Sequence, residues 1–409
     1  MKNTFIKESP KIIRIFPQLK ERRLENHLAR GRQLQEKGML DEAMKEWQSA
    51  VSIDRQNVEG HLELGIAYID KGKYEKARKH LQNVIKHDPL SLEVYYYLGL
   101  SHFQQEEYEK ALQTWKKALS LSPDDLELNL SLAEAYVEME KYGEALRQLD
   151  RILKLRPHHV EALNLRALIF FYLGEFHQAV EVLKWCLKIN PTYARTHINL
   201  GLVYMYQGWL DIAITELRKA IRISPTSPEA LFNLGYALAR RGERQQAVTI
   251  LRSAFSLEPR MEETPILLAN ILMECGELKE AEQLLSHALS VNSKSVEALV
   301  SLGNLHLRKR ETAQAIKRFR EALKIDPDSL YIRLNIGNTY FQAGQYVRAL
   351  REVYRVLEID SLNADAYIIL GDIYYARGMR EKAEEAWKKA LDICPNELEA
   401  RRRLHSNSP

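Results

Sequence analysis

The stretch LGLSHFQQEEYEKALQTWKKALSLSP, residues 98–123, contains the pattern that decides the fold. Stepping from Ala111 by 34 residues in both directions reaches alanine every time. These positions are Ala43, Ala77, Ala111, Ala145, Ala179, Ala213, Ala247, Ala281, Ala315, Ala349 and Ala383. The phase holds from Leu24 to Glu397, and such a fixed period predicts eleven consecutive copies of one structural unit.

Each repeat is predicted to form two amphipathic helices. In the seventh repeat, Leu231, Leu234 and Leu238 follow the i, i+3, i+7 spacing of one helix face. Gly242 then interrupts the pattern, and Pro259 ends the second helix because proline has no backbone N–H to continue it. Within residues 24–397, each step of 34 from Gly235 finds glycine or alanine, which indicates that the two helices approach closely.

This pattern resembles the tetratricopeptide repeat family, whose signature combines Leu-Gly/Ala, an aromatic residue, Ala and Pro over 34 residues. The third repeat has these residues in place: Leu98, Gly99, Tyr108, Ala111, Trp115, Ala118 and Pro123. The tryptophan often found early in the first helix is absent in every repeat. The resemblance implies an all-α, right-handed superhelical solenoid over residues 24–397. A basic tail or strap at 1–23 and the start of a capping helix at 398–409 would flank it.

Two repeats are irregular. Arg30 and Arg55 replace apolar or proline positions in the first repeat, as expected of a terminal repeat with one face in solvent. The eighth repeat has Pro265 inside its first helix, and proline is tolerated only in a first turn. This helix is therefore predicted to begin near Thr264, later than its counterparts.

Composition narrows the classes of function. The chain is 45% hydrophobic and 28% charged, and no run of 18 apolar residues predicts a membrane-spanning helix. The N-terminal stretch has no uninterrupted apolar segment of the secretory type, so a cytoplasmic location is expected. Cys186, Cys275 and Cys394 are odd in number and far apart, and we expect three buried apolar side chains.

No motif predicts catalysis, a cofactor or a metal. A phosphate-binding Gly-rich loop is absent, and the adjacent His158 and His159 fall in a turn between repeats. We therefore expect no enzyme activity. Residues 1–23 carry a net charge of +5 and residues 398–409 of +2, which leaves −3 on the repeats. A nucleic-acid-binding array would concentrate cations along its groove, so nucleic acid is disfavoured as a partner.

The concave face is the predicted binding surface. The resemblance implies that repeat positions 2, 5, 6, 9, 12 and 13, counting Leu24 as position 1, point into it. Aromatic and Met side chains recur there: Tyr96, Tyr97, Phe103, Phe171, Tyr172, Met205, Tyr206, Phe232 and Tyr236, with Met273, Phe341 and Tyr375 later. Such a stripe is usually core, but leucines such as Leu64 and Leu98 already supply a core. We therefore interpret this set as a neutral aromatic groove, between repeats three and seven, for a peptide or helix.

Asparagines at the same face add a second prediction. Asn199, Asn233 and Asn335 share one repeat position, and Asn270, Asn304 and Asn338 share another one turn later. A side-chain amide both donates and accepts, so it can bind an extended backbone of any sequence. This arrangement is similar to the asparagine ladder of O-linked N-acetylglucosamine transferases, although Leu267 and Ser301 interrupt it.

A chaperone-tail clamp is not predicted. The co-chaperone subclass of the family binds acidic C-termini with cations that this chain lacks. In the closest window, repeats nine to eleven, Val300, Asp365 and Ile369 stand where cations are needed.

The predicted function is a non-catalytic scaffold that binds segments of partner proteins. One alternative is a subunit that presents substrates to a separately encoded enzyme, such as a glycosyltransferase. Another is an assembly factor held peripherally on a membrane, because apolar and basic residues interleave in segment 1–23.

Overall fold

The computed structural model describes the backbone of residues 10–406 and the side chains of residues 19–404. All regular secondary structure in this part of the chain is α-helical: it contains 23 helices and no strand. The first helices of the eleven repeats are α1 (Pro10–Glu36), α3 (Val58–Asp70), α5 (Leu92–Phe103), α7 (Leu126–Glu138), α9 (Val160–Tyr172), α11 (Ala194–Tyr206), α13 (Pro228–Arg241), α15 (Glu263–Cys275), α17 (Val296–Arg308), α19 (Leu330–Gln342) and α21 (Ala364–Ala376).

The second helices alternate with them along the chain. They are α2 (Leu40–Ile53), α4 (Tyr74–His87), α6 (Tyr108–Leu121), α8 (Tyr142–Leu155), α10 (Phe176–Ile189), α12 (Leu210–Ile223), α14 (Arg244–Leu257), α16 (Leu278–Val291), α18 (Thr312–Ile325), α20 (Tyr346–Ile359) and α22 (Arg380–Ile393). A short helix, α23 (Leu398–Ser406), follows and contacts α22. None of the helices in the described residues is long and apolar enough to cross a membrane.

Local sequence sets the ends of each helix pair, as α13 illustrates. The Ser227 hydroxyl accepts a hydrogen bond from the Ala230 N–H at 3.2 Å, and Pro228 occupies the first turn, where its missing N–H is not needed. Gly242 ends the helix with a φ of 93°, a left-handed conformation that glycine adopts without a steric penalty. The chain then reverses into α14.

Within a repeat, a small residue on the first helix faces a large one on the second. Trp115 of α6 is only 1% exposed, and its indole N–H donates to the Tyr96 carbonyl at 3.0 Å. A Cβ added at Gly99 would lie 2.5 Å from Trp115 Cδ1, which is far inside van der Waals contact. This packing confirms the close approach predicted from the recurring glycine and alanine. Leu64 and Leu98 are buried, also as predicted.

The chain divides into two compact units, Met1–Thr192 (unit 1, repeats one to five) and Tyr193–Pro409 (unit 2, repeats six to eleven). In unit 1, α3 contacts α5 and α7 contacts α9. In unit 2, α11 contacts α13, α15 contacts α17, and α19 contacts α21. The first helices of these successive repeats therefore lie side by side. The residue boundaries predicted for the repeat region remain predictions.

The irregular eighth repeat behaves nearly as predicted. Its first helix, α15, begins at Glu263, one residue later than a step of 34 from the start of α13 and one residue earlier than the predicted Thr264. Pro265 is then the third residue of the helix, where no intrahelical partner is lost. Cys275 ends this helix and is exposed, so the prediction of a buried side chain is wrong for that cysteine.

Helical residues also flank the eleven repeats on both sides. From Pro10 onward, α1 runs without a break into the first repeat, so a helix occupies residues 10–23 of the predicted tail or strap. The rest of that segment, residues 1–9, lies outside the described residues. At the other end, Ala400 of α23 is fully buried, and Arg403 pairs with Asp372 of α21 at 2.8 Å.

Candidate functional site

The face formed by the first helices of unit 2 contains a cavity of about 790 Å³. Residues of α15, α17 and α19 line it, so three successive repeats contribute to one recess. The recess brings together the predicted groove residues Asn270, Met273 and Asn304. The other lining residues are Glu274, Val296, Glu297, Val300, Ser301, Leu307, Arg308, Ser329, Tyr331 and Ile332.

Helical periodicity explains why these side chains share a surface. On α17, Val300, Asn304 and Leu307 follow i, i+4, i+7 spacing, and all three line the cavity. Arg308 donates from Nη1 to the Met273 carbonyl at 2.7 Å, near the C-terminal end of α15. A cation is favourable at the negative end of a helix, and here it also holds α17 against α15.

The cavity carries nearly balanced charge. Glu274 pairs with Arg244 at 2.7 Å, and Arg308 adds a positive charge to the wall. Burial, together with Glu263 and Glu262 nearby, raises the pKa of Glu297 above its ordinary value. The recess therefore combines amides, apolar surface and few uncompensated charges, which suits hydrogen bonding to a peptide backbone.

The predicted aromatic residues differ in exposure. Tyr172 of unit 1 is 50% exposed, and Tyr206 and Tyr236 of unit 2 are 69% and 38% exposed. The remaining predicted aromatic residues of repeats three to seven are half-buried: Tyr96, Tyr97, Phe103, Phe171 and Phe232. The first helices of both units thus present exposed tyrosine surface that a partner can contact.

Four predicted groove residues are buried instead. Met205, Asn199 and Asn233 are at most 7% exposed. The Asn233 amide donates to the Glu229 carbonyl at 3.0 Å, one turn back in its own helix, so its donor is already used. Met273 lines the cavity although only 4% of its surface is exposed. The proposed peptide contact therefore excludes Met205, Asn199 and Asn233.

The remaining asparagines stay half-buried at the face. Asn270, Asn304, Asn335 and Asn338 all lie in this class. Asn335 of α19 is unusual because its Nδ2 atom is enclosed and donates to no acceptor. It lies one turn after Tyr331, which lines the cavity. A buried donor without a partner costs about 1–3 kcal/mol.

Unit 1 presents a different face, which the sequence-based prediction missed. The six groove positions of repeats two to five hold eight carboxylates and no Lys or Arg: Glu59, Glu63, Asp70, Glu93, Glu127, Glu134, Glu138 and Glu161. We call these residues the acidic rim. The net charge of the whole array did not reveal these carboxylates. The net charge of the groove positions alone would have revealed them.

Two tyrosines lie among these carboxylates. Burial, followed by Glu127 and Glu134, raises the pKa of Tyr96, while the Ser131 hydroxyl opposes this by hydrogen bonding to it. Burial also raises the pKa of Tyr97, with contributions from Glu93 and Asp70. Carboxylates on α3, α5 and α7 thus act on the same pair of rings.

Glu63 is crowded by like charges on this face. Burial and then Glu59 and Glu93 raise its pKa, and Arg32, which pairs with Glu59 at 2.7 Å, only partly opposes them. A raised pKa in the folded state means that ionised Glu63 destabilises the fold. The contribution of Glu63 to the free energy of unfolding is therefore greatest below the carboxyl's ordinary pKa of 4.5, and it falls as the pH rises above that value.

We expect Glu63→Gln to stabilise the protein at pH 7 by about 0.5 kcal/mol, the size of a like-charge pair at i, i+4 spacing. The gain should shrink toward pH 4, where Glu63 becomes protonated in the parent. Urea unfolding at both pH values measures it. The control is Glu109→Gln, an exposed change on α6, which should leave the pH dependence unaltered. A loss of stability at pH 7 in Glu63→Gln would contradict the prediction.

Burial and helix capping explain the environments of Cys186 and His159. Burial raises the pKa of the Cys186 thiol to about 12, which keeps it protonated, and Cys394 is half-buried. His159 accepts a hydrogen bond from the Ala162 N–H and caps α9, a structural role. Among the described residues, no three His, Cys, Asp or Glu side chains are grouped so as to hold a metal ion.

Comparisons with family models match nearly all of the repeats. Residues 82–298 match the Cilia and flagella-associated protein 70 C-terminal domain, which is more than half of the chain. Residues 34–98, 300–363 and 364–397 match three tetratricopeptide repeat models. A search of curated proteins found no match.

Solved structures share the fold. The APC/C hetero-tetramer Cut9–Hcn1 has a TM-score of 0.55 at 15% identity, over 92% of this chain and 94% of that chain. A tetratricopeptide repeat protein from Parabacteroides merdae ATCC 43184 has a TM-score of 0.52 at 22% identity, over 60% of this chain and 97% of that one. Human IFIT1 with m7Gppp-AAAA has a TM-score of 0.57 at 19% identity, over 90% of each chain.

The sequence period, the paired helices and the family matches agree. At these identities the solved structures show the fold alone, whereas the family models identify the repeats. Tetratricopeptide repeat proteins are in general non-catalytic scaffolds for protein interaction. The chain belongs to the tetratricopeptide repeat family, and its residues 82–298 belong to the Cilia and flagella-associated protein 70 C-terminal domain family.

Proposed function

We propose that this protein is a non-catalytic scaffold that binds a peptide or helical segment of a partner protein along its first helices. The observation that carries the proposal is the recess in unit 2, where Asn270 and Asn304 face about 790 Å³ of open space. A recess of this size holds several residues of a peptide, and its amides can pair with main-chain groups irrespective of sequence.

The exposed tyrosines support the same proposal. Tyrosine supplies a large contact area with a polar tip, and it is enriched where partners bind. Tyr206 and Tyr236 lie on α11 and α13, the first helices of the two repeats that open unit 2.

No specific observation in the described residues favours either alternative function that the sequence suggested. A substrate-presenting subunit would use the same face, and only the identity of the partner distinguishes it from a scaffold. Attachment to a membrane depends on segment 1–23, of which residues 1–9 lie outside the described residues. Flotation of the chain with liposomes, with and without residues 1–23, tests that alternative directly.

Nucleic acid remains disfavoured for this chain. Human IFIT1 carries m7Gppp-AAAA in its structure, but the acidic rim of unit 1 would repel phosphates. The cytoplasmic location stays a prediction. The matched family takes its name from a cilia- and flagella-associated protein, so these organelles are the first place to look for a partner.

We expect the double change Asn270→Ala, Asn304→Ala to reduce partner capture from the native source about tenfold. Two amide hydrogen bonds of ordinary strength together amount to that factor. Quantitative mass spectrometry of proteins retained by wild-type and variant chains measures the loss.

The matched control is Gln246→Ala, Gln283→Ala, which removes two exposed amides from α14 and α16, the second helices on either side of α15. Partners of the recess should be retained by this control. Equal loss of the same partners in both variants would refute binding in the recess.

A further inference from the structure

We propose that the first-helix face of unit 1 binds a basic amphipathic segment of a partner protein. This inference rests on the proposed scaffold function and adds the chemistry of the partner. It concerns repeats two to four, whose first helices α3, α5 and α7 carry most of the acidic rim.

The face has an apolar floor. We use this name for the half-buried residues Leu62, Ile69, Tyr96, Tyr97, Leu100 and Phe103 of α3 and α5. Each packs partly on the core and leaves part of its surface open. Helices usually bury such residues against a neighbour, and an open apolar surface of this kind is suited to the apolar side of a second helix or strand.

Carboxylates surround this floor. Asp70, Glu93 and Glu127 occupy groove positions on α3, α5 and α7, and α3 contacts α5. After burial, their charges help to raise the pKa of Tyr97. Glu134 acts on the neighbouring Tyr96. Within the groove positions of repeats two to five, no Lys or Arg offsets them. The guanidinium that acts on Glu63 belongs to Arg32, which already pairs with Glu59.

Unit 2 provides an internal comparison. The same positions of repeats six to eleven hold six carboxylates and three arginines: Glu229, Glu263, Glu274, Glu297, Asp365 and Asp372, with Arg195, Arg240 and Arg308. Several of these are paired, including Glu274 with Arg244 and Asp372 with Arg403. The acidic character therefore belongs to unit 1 and is not a general property of the repeat.

An apolar floor with an acidic rim matches one class of partner. The apolar side of an amphipathic segment covers the floor, and Lys or Arg on its flanks reach the rim. Such charge complementarity speeds association and rejects acidic partners, although each exposed pair adds little affinity. A bound Lys or Arg side chain also reduces the repulsion between Glu63 and the like charges around it.

The test uses two synthetic amphipathic peptides of equal length and identical leucine pattern, one with lysine and one with glutamine at every polar position. Each carries a fluorescent label, and anisotropy with the full chain measures its Kd. We expect the lysine peptide to bind more tightly. The double change Glu93→Gln, Glu127→Gln should weaken that binding about fivefold, as expected for two exposed charge pairs.

The control removes two carboxylates at the same repeat position of unit 2, Glu229→Gln, Glu263→Gln, neither of which lines the recess. These residues also lie at the start of first helices in consecutive repeats, so both variants lose equivalent charges at helix N-termini. The control should change the Kd of the lysine peptide less than twofold. Circular dichroism checks that all variants keep the helical content of the parent.

Each outcome decides the inference. Tighter binding of the lysine peptide that weakens only in the unit 1 variant supports it. Equal affinity for the two peptides, equal weakening by both variants, or no binding of the lysine peptide overturns it. Loss of partners from the Asn270→Ala, Asn304→Ala variant is measured separately, so the scaffold function can stand when the charge inference fails.

Discussion

Replacing Trp115 by alanine should destabilise unit 1 by about 4 kcal/mol, the usual cost of deleting a large buried aromatic side chain. The ring is 1% exposed, and it packs directly on Gly99, where even one methyl group would overlap it. The change also leaves the Tyr96 carbonyl without its indole donor. Because their other contacts remain in place, α5 and α6 can close only part of the space that the indole leaves.

The matched control is Trp185→Ala, because Trp185 lies on the second helix α10 of the same unit and is 44% exposed. This change should cost under about 1 kcal/mol, as is usual at surface positions. Urea unfolding followed by circular dichroism compares the two variants. Since each repeat is stabilised mainly by its neighbours, the Trp115 variant should also unfold over a broader range of urea concentration. Similar losses of stability in both variants would contradict the packing described here.

The triple change Tyr172→Ser, Tyr206→Ser, Tyr236→Ser should weaken partner binding at least about 100-fold. Buried tyrosine anchors in interfaces commonly contribute about 2 kcal/mol or more each, so loss of two of them already accounts for this factor. All three side chains lie on first helices and are exposed in the chain without a partner. Tyr172 also stacks on Tyr142, with ring centroids 5.8 Å apart, so urea unfolding of the triple variant is measured beside its binding.

The control for this triple change is Trp185→Ser, Ile212→Ser, Val347→Ser. These residues are exposed by 44%, 46% and 71%, and all lie on second helices. Titration calorimetry with the partner identified by capture measures both Kd values. The control should bind within about twofold of the wild type. A loss of affinity in the control that matches the loss in the tyrosine variant would place the partner elsewhere.

The helix pairs could be predicted from sequence because their determinants are local and repeated. The step of 34 residues locates every small residue that a large one must face, as Gly99 faces Trp115. Pro265 could be interpreted as a first-turn residue from backbone chemistry alone, and α15 begins two residues before it. These features depend on steric rules that do not require knowledge of the neighbouring repeats.

Side-chain exposure was harder to predict. The groove positions of Asn233 and Asn304 are both in first helices, yet Asn233 donates to its own backbone while Asn304 lines the recess. Cys275 is exposed because it ends α15, and its residue type alone gave no indication of that. Such differences arise from rotamers and neighbouring repeats, which a positional pattern does not specify.

The acidic rim shows a second reason why the binding surface could not be fully predicted from the sequence. Its residues are visible in the sequence, but their meaning depends on which side chains share a face with Tyr97. The groove was predicted to be neutral from its aromatic and Met residues, whereas unit 1 and unit 2 differ in charge at equivalent positions. Charge resolved by face is therefore the more informative property in a repeat protein.

The central claim is that a partner segment lies on the first helices, and photo-crosslinking tests it most directly. A benzophenone amino acid would replace Asn304 in the recess or, as the control, Gln283 on the second helix α16. Irradiation with the captured partner should give a crosslinked product from position 304 and none from position 283. Crosslinking from position 283 alone would contradict the account and would place the partner on the second helices.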